Sequence, residues 1–592
     1  MNSLVLIIAA LCVFTLGYRF YALFIARKVL RIDPRMATPA VVHADGHDYY
    51  KTSRYTLFGH HFAAIAGGGP LMGPVLAAQF GYLPGALWIL FGAVLAGGVH
   101  DMVVLFASVR HQGRSLAQIV DHELGPTAGI AASAAVLFIL VLTLAGFSIA
   151  VVNALWGSPW GAFMVFSTMP IAVIMGIYTF KIREGDVLGA TLIGLALLFL
   201  AILAGPHVAA HPFWKRMFTL SKNEICGFLS IYGFAASVLP VWILLCPRDY
   251  LSSYLKVGTI ALLAICLIYL HPSMQMPHLT KFIHGGGPVI PGSVIPFVFI
   301  TIACGALSGF HSTIASGTTP KMIASENDIP FIGYGAMVLE GFVAIVALIS
   351  ACLLAPGDYF AINATPAVFA SLGLTTVDLP ALSAAVGENL AGRTGGAVSL
   401  AVGMAHVLTG IPFMKHMLSY WYHYAIMFEA LFILTALDTG TRAGRFLLQE
   451  MAGRIRPEPG KRRSVARMLL AGLVFTSFWS YLVVTGEIST IWPIFGMSNQ
   501  LLAATALTLG TVIILKTGKS LYAFITAVPG LLMFGITLWA GTLNVTTNYL
   551  PHKNYVLTIL SLVLMALAVF IFFAAVRKGI AIIQAKTGQP AG

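Results

Sequence analysis

The stretch His60-His61-Phe62-Ala63-Ala64-Ile65-Ala66-Gly67-Gly68-Gly69-Pro70-Leu71-Met72-Gly73-Pro74 is apolar enough to enter a membrane and too rich in glycine and proline to cross it as one helix. Relative to alanine, a helical glycine costs about 1 kcal/mol and an interior proline about 3 kcal/mol, so an unbroken helix here would lose several kcal/mol. At membrane depth, unwound backbone survives only where protein or a water-filled cavity satisfies its amide and carbonyl groups. The break therefore marks a cavity. The competing reading is close helix packing through small residues.

The rest of the chain supplies the membrane. Of 592 residues only 9% are charged and 58% are hydrophobic, with a mean hydropathy of +0.89; soluble domains carry about 25% charge. About sixteen apolar segments reach or approach crossing length. They lie near 2–25, 57–80, 84–108, 127–153, 160–180, 186–205, 225–245, 257–271, 294–315, 331–355, 396–411, 418–437, 467–487, 491–515, 521–541 and 555–576. The first lacks a basic leader and a small-residue cleavage site, so it is expected to stay as the first span. Lys and Arg, which give a net charge of +13, are scattered between apolar runs and line no basic face. That excludes a nucleic-acid partner and makes them topology markers.

Basic residues follow segment one (Arg27, Lys28, Arg31, Arg35), three (Arg110, Arg114), five (Lys181, Arg183), seven (Arg248, Lys256) and nine (Lys321). This alternation puts those loops in the cytoplasm and the N-terminus outside, with Lys215, Arg216 and Lys222 as an exception. Lys321 and the run Arg442, Arg445, Arg454, Arg456, Lys461, Arg462, Arg463 should both be inside, although three segments separate them. The short segment 396–411, led by Gly395 and Gly396, is therefore read as re-entrant, which leaves about fifteen crossings. Arg577 and Lys578 place the C-terminus in the cytoplasm. The six cysteines (Cys12, Cys226, Cys246, Cys266, Cys304, Cys352) form no C-x-x-C pattern and read as packed thiols.

A second break is expected in segment seven at Ser230-Ile231-Tyr232-Gly233-Phe234-Ala235-Ala236-Ser237-Val238-Leu239-Pro240, five spans after the first and running the opposite way. Two interrupted helices at matching positions of inverted halves point to a midplane substrate site in a secondary transporter. Segment nine adds Ser308, Ser312 and Thr313, at least two of which can share a helix face and offer oxygen ligands to a small cation. They can equally bond the preceding turn of their own helix.

Several stretches are similar to the carbon starvation protein A family over most of the chain. They are His60–Ala63 leading into Gly67–Pro70, Pro74–Gly81, Gly98-Val99-His100-Asp101-Met102, Ser308–Thr313, Phe428-Glu429-Ala430-Leu431-Phe432-Ile433-Leu434-Thr435, and Trp492-Pro493-Ile494-Phe495-Gly496-Met497-Ser498-Asn499-Gln500. The resemblance implies an all-α integral membrane protein with a five-plus-five inverted-repeat core of the LeuT type and extra helices at both ends. It also implies uptake of peptides or pyruvate. Residues 1–55 would then be an added helix and basic loop, 56–415 the transport core and 416–592 a C-terminal helical module. The Gly-Gly-Gly-Pro at 285–288 falls in an outside loop and is taken as coincidence.

The expected substrate-binding residues are Ala66, Gly67, Gly68, Gly69, Tyr232, Gly233, Phe234 and Ser237, with Trp88 and Trp242 as further pocket walls. Cation or proton coupling is assigned to Ser308, His311, Ser312, Thr313, His61 and Asp101, since histidine titrates near physiological pH and an unpaired intramembrane Asp is costly. His60 and His100 stand beside these. Glu340, His406, His423, Glu429 and Glu487 read as residues that tie helices together. Seventeen histidines invite a metal reading, but no zinc spacing appears, so no metal and no cofactor beyond a coupling Na⁺ or H⁺ is expected. With no Lys or Arg at mid-segment two, seven or nine, a substrate carboxylate would rest on amides at a half-helix N-terminus.

These features point to a secondary transporter importing a small carboxylate-bearing nutrient through a bacterial or archaeal cytoplasmic membrane. An intramembrane enzyme would need a nucleophile with its base or a metal quartet, and a channel a repeated pore motif or a charge ring. No phosphate-loop motif supports a primary pump. Substrate identity and oligomeric state are not written in the sequence.

Overall fold

The computed structural model describes residues 1–45, 49–183, 186–240, 245–455, 465–517 and 520–587. Trp242 and the loop charges Arg456, Lys461, Arg462 and Arg463 fall outside them. The described chain is all-helical, with no β-strand.

Among the described residues twelve helices are long and apolar enough to cross a membrane, thirteen if the pair Arg54–Ile65 and Gly69–Phe80, bent by 47° at its junction, counts as one span. Three further expected segments are shorter or split. Lys222–Val238 is a single helix, Ala397–Thr409 is short, and the segment near 294–315 is two helices, Val294–Thr301 and Gly309–Gly317. The count therefore stands below fifteen by length and composition.

Local chemistry sets many of these ends. Ser53 accepts from the Thr56 amide to start the first half-helix. Proline occupies the first turn of Gly69–Ala77, Pro126–Leu155 and Pro159–Ile177, where its missing N–H costs nothing. Capping boxes, Ser115 with Gln118 and Ser221 with Glu224, open Leu116–Leu124 and Lys222–Val238.

The break expected in segment seven is corrected. Lys222–Val238 runs through Gly233 unbroken and ends at Leu239. Gly233 packs where a Cβ would meet Trp479 at 2.9 Å, so the ring takes the space that makes this glycine tolerable in a helix. Pro240 stands two residues past the last helical residue. The second interruption lies in segment nine instead, where residues 302–308 leave the helix between Thr301 and Gly309.

A second correction concerns charge. Arg248 and Lys256, counted as loop markers, are 0% and 1% exposed. With Ser252 they fall at i, i+4 and i+8 of the helix Leu245–Leu270, one face of which packs on Leu418–Ile455. Arg248 pairs with Asp438 at 3.1 Å, and Thr435 Oγ1 donates to Ser252 Oγ at 3.1 Å. Paired charge can be buried, so its position in sequence did not report a loop.

Candidate functional site

The two breaks meet. A Cβ built on Gly69 would lie 2.3 Å from Cys304 Sγ, and one on Gly73 2.6 Å from Thr301 O. Here glycine is needed for close approach, since neither residue has a positive φ. Gly67 and Gly68 face the helices Pro126–Leu155 and Leu418–Ile455: their added Cβ atoms would meet Phe147 Cε2 at 3.0 Å and Ile433 Cγ1 at 2.6 Å.

The freed backbone groups are met by side chains from distant elements, as the low dielectric demands. Lys256 Nζ donates to Ala63 O and Ala66 O at 3.0 and 2.9 Å, closing the C-terminal end of the first half-helix. At the second break, Trp88 Nε1 donates to Ile302 O at 3.0 Å and Trp492 Nε1 to Thr301 O at 3.2 Å. Gln500 Nε2 donates to Phe299 O and Leu307 O at 3.1 and 3.0 Å. Asn499 Oδ1 accepts from the Phe310 amide at 2.7 Å, and its Nδ2 donates to Ser308 Oγ at 3.2 Å. The amides of Gly68 and Gly69 donate to no acceptor among the described residues. They sit at the positive end of Gly69–Ala77.

Beside the breaks runs a fully buried chain of titratable groups. His100 Nδ1 lies 2.7 Å from Asp101 Oδ1, and His311 Nδ1 2.8 Å from Asp101 Oδ2. His311 Nε2 lies 3.0 Å from Glu340 Oε2. His311 begins the second half-helix, Asp101 comes from Gly98–Arg110 and Glu340 from Gly335–Cys352, so three elements converge on one imidazole. Cys304, His311 and Glu340 each place one donor atom within 4.8 Å of the others, a set with the composition of a metal site. His311 lies between two carboxylates, hydrogen-bonded to Asp101 and within 3.0 Å of Glu340, and we read the group as an ion-paired network.

The expected residues divide. Ala66, Gly67, Gly68, Gly69, Ser308, His311 and Asp101 come together at the paired breaks. His61 stands one step away, its Nδ1 2.7 Å from Thr319 Oγ1. Ser312 and Thr313 turn back on their own helix, donating to Gly309 O at 2.5 Å and Phe310 O at 2.7 Å. Tyr232 donates to Asp438 Oδ2 at 2.6 Å and contacts Arg248. Gly233 faces Trp479, while Ser237 Oγ and the Phe234 ring lie 3.1 and 3.5 Å from a Cβ built on Gly472, so this trio faces the helix Val465–Thr485 and not the breaks. Trp88 is a backbone donor, not a pocket wall.

Of the helix-tying candidates, Glu340 pairs with His311 and His423 with Glu388 at 3.1 Å. His406 and Glu487 are exposed, and Glu429 ties nothing: neither of its oxygens has a partner. The loop containing Gly285–Pro288 docks on the C-terminal end of the first broken helix, where Gln79 Oε1 accepts from the Val289 and Ile290 amides at 2.7 and 3.0 Å. Lys256 was read only as a loop charge and Glu340 only as a helix tie, and Trp492, Asn499 and Gln500 had no assigned role in the sequence reading. Polar Asn499 and Gln500 within an apolar run were the available signal.

Interrupted helices meeting at mid-molecule, with buried polar groups around them, define a multi-pass membrane transporter. The chain belongs to the carbon starvation protein CstA family, whose model matches residues 2–540. It is 48% identical over 565 residues to the peptide transporter CstA of Escherichia coli, covering 91% of this chain and 81% of that one. The Bacillus subtilis peptide transporter CstA is 44% identical over 583 residues, 98% and 97% of the two chains. The pyruvate/proton symporter BtsT of Escherichia coli is 45% identical over 588 residues, 91% and 81%. A manganese transporter from Eremococcus coleocola aligns at a TM-score of 0.42 and 12% identity, covering 89% of this chain and 95% of that one, too loosely to decide anything about the site.

Proposed function

We propose that the protein is a secondary transporter importing a small carboxylate-bearing nutrient, a pyruvate-like acid or a short peptide, with a proton across the bacterial cytoplasmic membrane. The observation that carries this reading is the contact of the two breaks at Gly69 and Cys304, with the His311 network hung from the second. A solute carboxylate is held at the Gly68 and Gly69 amides, and Asp101, His311 and Glu340 hold the coupling proton. The names of the relatives, peptide transporters and a pyruvate/proton symporter, favour the same substrate classes. The basic loops support an N-terminus outside and a C-terminus in the cytoplasm.

Two contacts favour H⁺ over Na⁺. The carbonyls at the end of the first half-helix are occupied by the Lys256 ammonium, and the Ser312 and Thr313 hydroxyls are turned to their own helix. An enzyme reading gains little from Cys304, because the histidine beside it lies between two carboxylates within 3.0 Å.

Uptake of labelled pyruvate and of alanylalanine into proteoliposomes tests this. An inward proton gradient accelerates uptake and a sodium gradient does not. His311→Gln abolishes the response to the proton gradient, and Ser312→Ala with Thr313→Ala leaves it intact. Uptake indifferent to the proton gradient in the parent protein overturns proton coupling.

A further inference from the structure

The helix Leu418–Ile455 carries an acid that the coupling network does not use. Ile433 and Ala436 on this helix pack on the first break, their side chains 2.6 and 3.2 Å from Cβ atoms built on Gly68 and Gly67. Glu429 lies four residues before Ile433 and seven before Ala436, hence on the same face, one turn away. It is 2% exposed, and neither Oε1 nor Oε2 has a hydrogen-bond partner among the described residues.

Other buried acids are provided for. Asp101, Glu123, Glu340, Glu388 and Asp438 each lie within 4 Å of a basic nitrogen, and Asp358 accepts from the Val377, Asp378 and Leu379 amides. A lone buried carboxylate costs several kcal/mol, and inside a membrane protein such a group marks function. Two turns further along the same face, the buried Tyr422 hydroxyl is also unpartnered.

Two complementary groups therefore flank one face of Leu418–Ile455: the positive amide end at Gly68 and Gly69, packed on Ile433, and the Glu429 carboxyl about one helical turn, roughly 5 Å, along from Ile433. An extended chain spans about 3.5 Å per residue. One turn is about one and a half residues of extended chain, and a helical Glu429 side chain leans toward the helix N-terminus, away from Ile433, which lengthens the reach toward that of a dipeptide.

We propose that Glu429 is an ammonium subsite: it takes the α-ammonium of a short zwitterionic peptide whose carboxylate rests at the Gly68 and Gly69 amides. This rests on the paired breaks being the transport site. A solute without an ammonium group leaves Glu429 unused.

The test uses the full chain in proteoliposomes under an inward proton gradient, with labelled pyruvate, alanylalanine and N-acetyl-alanylalanine as probes. In the parent protein, acetylation lowers uptake by about tenfold or more, the cost of one charge-assisted contact. Glu429→Gln lowers alanylalanine uptake by a similar factor through KM, keeps pyruvate uptake within about twofold, and no longer distinguishes the free from the acetylated peptide. A parent protein that carries pyruvate and rejects alanylalanine overturns the proposal. So does equal loss of both solutes in the variant, which is the mark of a proton site. The acetylation contrast needs no variant, so equal uptake of the two peptides by the parent protein overturns it even if Glu429→Gln fails to fold. Failure of the parent protein to carry any probe would instead fell the transport-site reading beneath it.

Discussion

Gly68 has room for a hydrogen and little else: a Cβ there would sit 2.6 Å from Ile433 Cγ1. Gly68→Val should abolish uptake while the protein still inserts, and Gly68→Val with Ile433→Ala should recover part of it. The double-mutant cycle should give a coupling of about 0.5–3 kcal/mol, read from transport rates and thermal unfolding together. The glycines were legible from sequence because three in a row, followed by a proline, make continuous helix too costly even inside an apolar run. His311 and Asp101 were legible as intramembrane polar residues. Their partner Glu340 was legible only as a helix tie, since Gly335–Cys352 must fold back on Gly309–Gly317 to bring it to the imidazole and no local pattern records that.

At the level of the element, the first half-helix ends on carbonyls held by one ammonium. Lys256→Met should lower stability by about 1.5–3 kcal/mol, the worth of hydrogen bonds to a charged group, measured as a fall in Tm in detergent. Lys256→Arg should recover only part of it, because a planar guanidinium does not reproduce a compact ammonium. The reading of Gly233 and Pro240 as a break failed for a physical reason. A single glycine costs a helix about 1 kcal/mol, which packing offsets, and Pro240 stands two residues past the last helical residue. The true second break at 302–308 carries no proline and a single glycine, Gly305. It unwinds because Trp88, Trp492, Asn499 and Gln500 bond its backbone, and tertiary partners of that kind leave no local signature.

Across the whole molecule, contacts cross the division expected at residue 415. Leu418–Ile455 packs on the first break and Ile488–Thr517 on the second. Residues nearly four hundred apart in sequence are also joined beside the short helix Leu116–Leu124. Glu123, on the short helix Leu116–Leu124, contacts Lys516 and lies 3.0 Å from His111 Nε2. The hydrogen bond from His111, with Lys516 adding to it, holds the Glu123 carboxyl at about 2, below its usual 4.5. A lowered acid stabilises the fold fully above its unfolded value, about pH 5 and upward, and that contribution goes only as pH falls through the folded value. Glu123→Gln should therefore cost about 1–3 kcal/mol at neutral pH, with the Tm difference from the parent shrinking as pH falls from about 5 toward the folded value.

Gly496 would place a Cβ 1.8 Å from Ile300 O, and Gly309 one 2.2 Å from Asn499 O. Main chain thus lies on main chain at both ends of the second interruption, with no side chain between to act as a bearing. Neither partner can slide past the other without collision. Any rocking that opens the pathway must carry Ile488–Thr517 and the second interruption together as one rigid lever, and the slip has to occur elsewhere.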